Sequence, residues 1–363
     1  MSGTGLHIYY VFKEPIVLYP NIRLQQQRLS LQANQKIEIL ELEKKEEARE
    51  EYKKDNGEKN GGSFLIKIKR ESDLYMFRKI EKVKVPPIKI QGIKTKLVPF
   101  INENINWDGN GTYYEPFVGS GVVGFNLAPE KAVFSDTNPH IINFYKDLQN
   151  GTINSKIVRK YLEFEGEKLS KTPKDKHSYY YEVRNRFNEE PTSLDFLFLQ
   201  RSNFNGMIRY NSSGGYNVPF GRKPERFSKA LITRIVNQVK WVEELFQERP
   251  QWEFKLQSFE KIFDDVCEND FIYLDPPYIY RHDGYYDQWS EELAENLAIL
   301  TQKSKAGYAF SMWFENKHRK NDHIDLWSQG ELLKFEHFYH VGAKEANRNA
   351  MTEALIVREH PNL

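Results

Sequence analysis

The residues Asp275-Pro276-Pro277-Tyr278 directly follow an apolar run that ends at Leu274. Proline cannot donate to a sheet ladder, so both prolines must lie just past a strand end, where open α/β sheets place their active sites. A carboxylate and a carbonyl fixed by the next proline can accept both hydrogens of an exocyclic amine and aim its lone pair at a methyl donor. Tyr278 offers an aromatic face for a base withdrawn from a helix. All four residues are predicted to be catalytic; the alternative is a strand-ending turn.

A glycine turn forms a second candidate site. The run 114–121 contains Gly119 and Gly121, follows a predicted strand and precedes an apolar helix start. Glycines at such a turn permit close backbone approach of a ligand, although the dinucleotide GxGxxG spacing is absent. The next predicted strand ends at Asp136, where an acid typically accepts hydrogen bonds from ribose hydroxyls. The alternative is that Asp136 only caps the following helix.

The elements that must position these residues have an α/β pattern from residue 88 onward. Short apolar segments predict strands at 112–115, 132–135, 271–274, 308–311 and 354–357. Between about 152 and 250 this pattern is replaced by mostly helical segments around a loop-rich stretch, 201–222. We therefore expect a Rossmann-like catalytic domain formed by residues 85–150 and 251–363, interrupted by an inserted, mostly helical target-recognition domain at 151–250.

Residues 1–84 are predicted to form a separate α+β extension. A strand-like run at 7–12 precedes a charged helical stretch at about 24–54. A glycine-containing break then leads to a hairpin pattern at 64–80. The role of this extension stays open in the sequence.

Composition limits the class of protein. The 363 residues are 39% hydrophobic and 28% charged, which is typical of a globular chain. No apolar run is long enough for a membrane span and no signal pattern opens the chain, so we expect a cytoplasmic protein without a membrane partner. Cys267 is the single cysteine, which excludes an internal disulfide and a cysteine-based zinc cluster. We expect no metal.

Basic residues are concentrated locally although the net charge is only +1. Between Arg201 and Lys240 there are eight basic residues against one acid, which is the pattern expected for phosphate contacts. A second excess, ten basic residues against three acids, lies between Lys67 and Lys96. It either extends the same nucleic-acid surface or protects a solvated hairpin edge.

Taken together, these motifs resemble the adenine-specific DNA methyltransferases, the class that includes bacterial DNA adenine methylase and many restriction-modification methylases. The resemblance covers about 88–358. The blocks that carry it, in the family's order, are Ile90 to Lys94, Glu115 to Gly121, Asp136 with Asn138, Asn203 to Asn211 followed by Tyr216 to Gly221, and Asp275 to Tyr278. The fourth of these is similar to the family's target-recognition hairpin.

The resemblance implies an enzyme that transfers a methyl group from S-adenosyl-L-methionine to the N6 amine of a flipped-out adenine in double-stranded DNA. It implies a GATC or GAT-containing site and a restriction-modification system with a cognate endonuclease; we favour a monomer. The implied cofactor-binding residues are Gln91, Gly92, Lys94, Glu115, Phe117, Gly119, Gly121, Asp136, Ser258, Phe259 and Asp275. The implied DNA-binding residues are Phe204, Asn205, Met207, Arg209, Asn211, Pro219, Arg222, Lys223 and Arg226.

Three departures and several rival functions stand beside this resemblance. Ile90 replaces the family's usual aromatic, Ile93 replaces a glycine, and Ser258 stands where an acid often precedes Phe259. The nearest rival is methylation of the exocyclic nitrogen of cytosine. Ring-carbon methylation needs an activated cysteine, and Cys267 has no activating context. A non-catalytic DNA-binding protein on the same scaffold and an RNA substrate are the remaining alternatives.

Overall fold

The description covers residues 80, 82–105, 107–277, 289–316, 319–320, 324, 330–338 and 350–358 of a computed structural model. All of them lie within the compact unit Lys69–Leu363. The strand, helix and hairpin predicted for the N-terminal extension lie outside these residues, apart from the last hairpin position. Tyr278 of the predicted catalytic tetrapeptide also lies outside them.

One eight-stranded sheet forms the centre of the described chain. Its strands are β1 Tyr113–Glu115, β2 Ala132–Asp136, β3 Trp252–Leu256, β4 Phe271–Leu274, β5 Gly307–Asn316, β6 Arg319–Lys320, β7 Glu331–Phe338 and β8 Ala350–Arg358. The order is β3-β2-β1-β4-β5-β8-β7, with β6 paired to β5. The five strands from β3 to β5 are parallel, whereas β8 runs antiparallel to both β5 and β7.

The Rossmann-like sheet predicted from the sequence is confirmed by this order. Chain order proceeds outward from β1 to β2 and β3 on one side, and from β4 to β5 on the other. The topological switch point therefore lies between β1 and β4, and ligands of open α/β sheets bind at the carboxyl ends of the strands there. Every residue of β1 and of β4 is buried, as expected for parallel strands covered on both faces.

The helices cover both faces of the sheet. They are α1 Val98–Asn104, α2 Val122–Leu127, α3 Pro139–Gln149, α4 Ser155–Ser170, α5 Tyr179–Glu189, α6 Ser193–Ser202, α7 Lys229–Glu248 and α8 Glu291–Lys303. Successive strand residues point to opposite faces, so Tyr113 packs in one hydrophobic cluster and Tyr114 in the other. The first cluster includes α2, α3 and the helices of the inserted region, and the second includes α8.

All five predicted strands are present, although β5 and β8 extend well past the predicted segments. β3, β6 and β7 were not predicted. The insertion is mostly helical, as expected: α4 to α7 and a short 3₁₀ helix, Pro224–Phe227, surround the loop-rich stretch after α6. In the part of the chain described here, none of the helices combines the length and apolar character needed to cross a bilayer.

Candidate active site

A cavity of about 460 Å³ opens at the switch point of the sheet. Its wall is built from the segments that follow β1, β2, β3 and β4, together with the loop before α1. All of the predicted cofactor-binding residues except Gly121 line it, and so do Asp275, Pro276 and Pro277 of the predicted catalytic group. The predicted residues that meet in this one cavity are separated by up to 186 positions in the sequence, from Gln91 to Pro277.

Lys94 and Asp275 form an ion pair at one end of the cavity. Lys94 Nζ lies 2.8 Å from Asp275 Oδ1, with side-chain exposures of 3% and 23%. The same ammonium donates to the carbonyl of Gly92, at 3.3 Å, and lies 3.9 Å from Glu353 Oε2. The loop predicted to contact a cofactor therefore also supplies the counter-ion of Asp275, the carboxylate predicted to be catalytic.

Several buried groups act on the Asp275 carboxylate. Burial raises its pKa above the usual range, the Lys94 ammonium lowers it, and the negative charge of Glu353 raises it. A hydrogen bond from Ser311 also lowers this pKa. Ser311 in turn lies 2.8 Å from the Tyr273 hydroxyl. The Asp275 carboxylate is thus partly shielded from solvent, and the Lys94 ammonium is its positively charged partner.

Glu115 is fully enclosed where β1 ends. Its Oε2 accepts hydrogen bonds from the Tyr113 hydroxyl at 3.1 Å and from the Gly124 amide at 2.9 Å. Burial raises the pKa of this carboxyl to about 8, so it is largely protonated at neutral pH. The bond to the Gly124 amide joins β1 to α2, so Glu115 has a structural role in addition to its place in the cavity wall.

The glycine turn has the backbone shape that the sequence suggested. Gly119 and Gly121 have φ values of 46° and 69°, in the left-handed region that favours glycine. Asp136 holds this turn, since its Oδ2 accepts from the Gly119 amide at 3.0 Å and its Oδ1 from the Asn138 amide at 2.9 Å. The helix α3 is capped by the Asn138 side chain. Asp136 therefore orients the cavity wall and faces the cavity at the same time.

An aromatic group, Phe117, Phe259 and Trp289, lines another side of the cavity. Phe117 and Phe259 stack with ring centroids 5.7 Å apart, and Trp289 meets Phe117 edge-on at 5.4 Å. Phe117 and Phe259 were predicted, but Trp289 was not. Its position just before α8 gave no local sequence signal.

Glu260 is a second wall residue that the sequence did not reveal. It lies directly after Phe259, whereas the family pattern places an acid before this phenylalanine. Its Oε2 is buried and has no hydrogen-bond partner among the described residues. A buried carboxylate oxygen without a partner is costly, and a donor on a ligand would remove that cost.

The predicted recognition hairpin is present. Antiparallel bridges join Asn203 to Phe220 and Tyr210 to Tyr216. Phe204 is half exposed, at 50%, and its amide donates to the carbonyl of Pro219. Asn205, also exposed, has a positive φ of 58°.

Two other predicted DNA-binding residues make contacts within the hairpin. Asn211 Oδ1 accepts from the amides of Ser213 and Gly215, so its side chain closes the turn of the hairpin. Met207 is half-buried, and its carbonyl accepts from Asn203 and Tyr216. In the described arrangement both residues shape the hairpin.

Arg209 is held by Asn217 across the hairpin. Its Nε donates to Asn217 Oδ1 at 2.7 Å and its Nη2 donates to the Asn217 carbonyl at 3.2 Å. The guanidinium is half-buried. The Nε edge of the guanidinium is therefore already bonded to protein, and a bidentate contact with a base would use its other edge.

The hairpin also reaches the cavity. Ile208 lines the cavity wall, and the Tyr210 hydroxyl lies 3.3 Å from Asn138 Nδ2. His140 of α3 stacks on Tyr210 with ring centroids 5.6 Å apart. The segment predicted to contact DNA is therefore in direct contact with the segment that follows β2.

Basic side chains gather beside the hairpin. Burial lowers the pKa of Lys89, and the positive charges of Arg226, Arg201 and Lys223 lower it further. Burial also lowers the pKa of Arg201 to about 10, with added effects of Arg234 and Arg226. Arg222 and Lys223 are exposed. This arrangement concentrates positive charge beside the hairpin.

Comparison with known proteins agrees with these features. A family model described as D12 class N6 adenine-specific DNA methyltransferase matches residues 91–347. The Type II methyltransferase M1.LlaDCHI of Lactococcus lactis subsp. cremoris is 27% identical, over 75% of this chain and 94% of its own. The modification methylase StsI of Streptococcus sanguinis is 28% identical over 74% of this chain, but the match spans only 42% of that protein.

The DNA adenine methylase of Vibrio cholerae is 33% identical over 45% of this chain and 55% of its own. Among solved structures, an rRNA methyltransferase, aviRa, from Streptomyces viridochromogenes aligns with a TM-score of 0.33 and 11% identity, over 76% of this chain and 88% of that one. The fold is established by the strand order and not by that alignment. Because the family match spans most of the chain and includes the glycine turn, Asp136 and Asp275, this chain belongs to the D12 class N6 adenine-specific DNA methyltransferases.

Proposed function

We propose that the cavity binds S-adenosylmethionine and that Asp275 and Pro276 act on the N6 amine of an adenine withdrawn from duplex DNA. One observation carries this proposal: the carboxyl ends of β1 and β4 meet at a single cavity, with the glycine turn on one side and Asp275 on the other. A donor and an acceptor of the methyl group need adjacent sites of this kind.

The residues present suit the cofactor chemically. Its ribose needs hydrogen-bond acceptors, which Asp136 offers where β2 ends. Its base needs an apolar surface and an acceptor for an amine, and Phe117, Phe259 and the unpartnered Glu260 Oε2 offer both. Bound S-adenosylmethionine supplies an electrophilic methyl group on a sulfonium.

The catalytic work of the chain is to prepare the amine. Conjugation with the ring withdraws the nitrogen lone pair, so the free amine is a poor nucleophile. The Asp275 carboxylate accepts a hydrogen bond from one N–H of the amine, and the Pro276 carbonyl accepts a hydrogen bond from the other. Both acceptors stand at a fixed strand end, where they need little rearrangement when the base arrives.

Target choice is assigned to the hairpin. It resembles hairpins of enzymes that act on GATC or on GAT-containing sites, and we propose such a site here. Arg209 would contact guanine in the major groove, which is the commonest specific pairing of arginine. Phe204 would insert beside the space left by the withdrawn adenine, and Arg222, Lys223 and Arg226 would contact phosphates. A restriction endonuclease for the same site is the proposed partner.

The test is transfer of a labelled methyl group from S-adenosylmethionine to unmodified duplex DNA, followed by methylation-sensitive sequencing. The expected result is label on adenine N6 at one short sequence containing GAT. An inactive protein, label on cytosine, or label spread over unrelated sequences would contradict the proposal. RNA of the same sequence serves as the control for polymer choice.

A further inference from the structure

Glu353 is a buried carboxylate that no sequence motif indicated. It lies in the middle of β8, opposite Trp313 of β5 and Phe335 of β7. The residue is 2% exposed. Its Oε2 lies 3.9 Å from Lys94 Nζ, the atom that pairs with Asp275 at 2.8 Å. One ammonium thus lies near two carboxylates, the buried Glu353 and the partly exposed Asp275.

This sharing needs an explanation because buried charge is expensive. Removing a carboxylate from water costs several kcal/mol unless charged partners and hydrogen bonds compensate. A single ion pair between Lys94 and Asp275 would need no third charge. Glu353 is outside the cavity wall, and it acts on the site through its contact with Lys94 and through its negative charge near Asp275.

We propose that Glu353 is a positioning residue for methyl transfer, which holds the Lys94 ammonium and prevents it from being committed to Asp275 alone. This inference rests on the proposed function of Asp275. A carboxylate that gives its full acceptor strength to an ammonium is a weaker acceptor for the target amine. Sharing the ammonium leaves Asp275 with a counter-ion and with capacity for the amine hydrogen.

The groups facing Asp275 come from five parts of the fold. They are Lys94 of the loop before α1, Glu115 of β1, Tyr273 of β4, Ser311 of β5 and Glu353 of β8. Burial raises the pKa of Asp275 most, Lys94 lowers it and Glu353 raises it. Removing the Glu353 charge must therefore lower this pKa, and removing the Lys94 charge must raise it.

The two changes predict opposite shifts in one pH profile. Activity requires ionised Asp275, so the acidic limb of the single-turnover rate follows its pKa. Glu353→Gln should move that limb to lower pH by about 0.5 to 1 unit, with a rate at neutral pH lowered about tenfold. Lys94→Met should move the limb to higher pH. Glu353→Asp, which keeps the charge, should stay near the wild-type profile.

Single-turnover methylation of one duplex with saturating S-adenosylmethionine gives the profiles, and calorimetry with S-adenosylhomocysteine checks that the cavity is intact. Glu353→Gln should bind this product within about twofold of wild type. If its limb is unmoved while only the melting temperature falls, Glu353 is a core residue and the inference fails. If Glu353→Gln does not fold, an unmoved limb in Lys94→Met contradicts the inference equally. A wild-type protein that transfers no methyl group would overturn the proposed function instead.

Discussion

At the residue scale, the site depends on three carboxyl groups held in different surroundings. Asp275 has an ammonium partner at 2.8 Å, whereas burial raises the pKa of Glu115 to about 8 and favours its neutral form. Asp136 accepts two backbone amides in the glycine turn. The three acids lie at the ends of neighbouring strands, and the different groups around each of them suit it to a different role.

The Glu115 carboxyl makes folding stability depend on pH. Its pKa in the folded chain, about 8, is above its ordinary value of 4.5, so the folded state retains a proton that the unfolded state loses. Stability must then fall as pH rises from about 5 to 8. Glu115→Gln should remove this loss, and urea unfolding at pH 6 and pH 8.5 should show a smaller difference for the variant than for wild type. An equal difference in both proteins would show that Glu115 ionises normally.

At the element scale, most of the sheet and the glycine turn were predictable and the edges were not. β1 and β4 are short apolar runs that end in polar motif residues. This local sequence pattern is enough to identify both strands. β3 alternates exposed and buried residues, and β7 carries charges on mostly exposed positions, so neither has the apolar run of a central parallel strand. Only long-range pairing makes them strands.

The same limit explains the missed site residues. Glu260, Trp289 and Glu353 belong to no motif that local spacing defines, and each matters because of a partner or a cavity reached through the fold. Asp136 and Asp275 were predictable because they end strands whose order is typical of this fold.

The short helix α2 depends on a glycine that allows close packing. A Cβ on Gly124 would overlap the Phe134 ring and Glu115 Oε2. Gly124→Ala should therefore destabilise the fold by about 1 to 3 kcal/mol, measured by urea unfolding. The matched control is Ala128→Gly at the other end of α2, where φ is 49°; it should be neutral or stabilising. If Gly124→Ala is as stable as wild type, the contact between β1 and α2 relaxes enough to admit a methyl group, and the close packing is not required.

At the scale of the whole molecule, the chain is nearly neutral, and among the described residues a cluster of basic side chains lies beside the predicted recognition hairpin. That hairpin contacts the cavity wall through Ile208 and the Tyr210–Asn138 hydrogen bond. Under the proposed function, the surface that binds DNA and the cavity that receives the target base would therefore adjoin each other. The backbone N–H and carbonyl of Lys84 are hydrogen-bonded to the Asn126 side chain. A truncated protein meant to keep the catalytic domain folded should therefore retain the residues from 80 onward.

Two arginines should have separable effects on DNA. Arg209→Ala should cost about 1 to 3 kcal/mol at the cognate site and relax preference at one guanine. Arg226→Ala should weaken all sequences alike and reduce the slope of log affinity against log salt by about one. Methylation rates on duplexes with one substitution at each position, and binding at several salt concentrations, measure both effects. Equal slowing of every duplex by Arg209→Ala would remove its assignment to base recognition.

The central claim is that the Asp275 carboxylate acts on the reacting amine. Asp275→Ala leaves Lys94 with Glu353 at 3.9 Å as a buried counter-ion, so the variant should fold. The decisive measurement is the single-turnover rate of methyl transfer by this variant, together with its affinities for S-adenosylmethionine and for duplex DNA. The account predicts a loss of about 100-fold or more in transfer at saturating S-adenosylmethionine, with the affinity for duplex DNA within about threefold of wild type. Retention of more than about a tenth of wild-type transfer by a folded Asp275→Ala protein would contradict it.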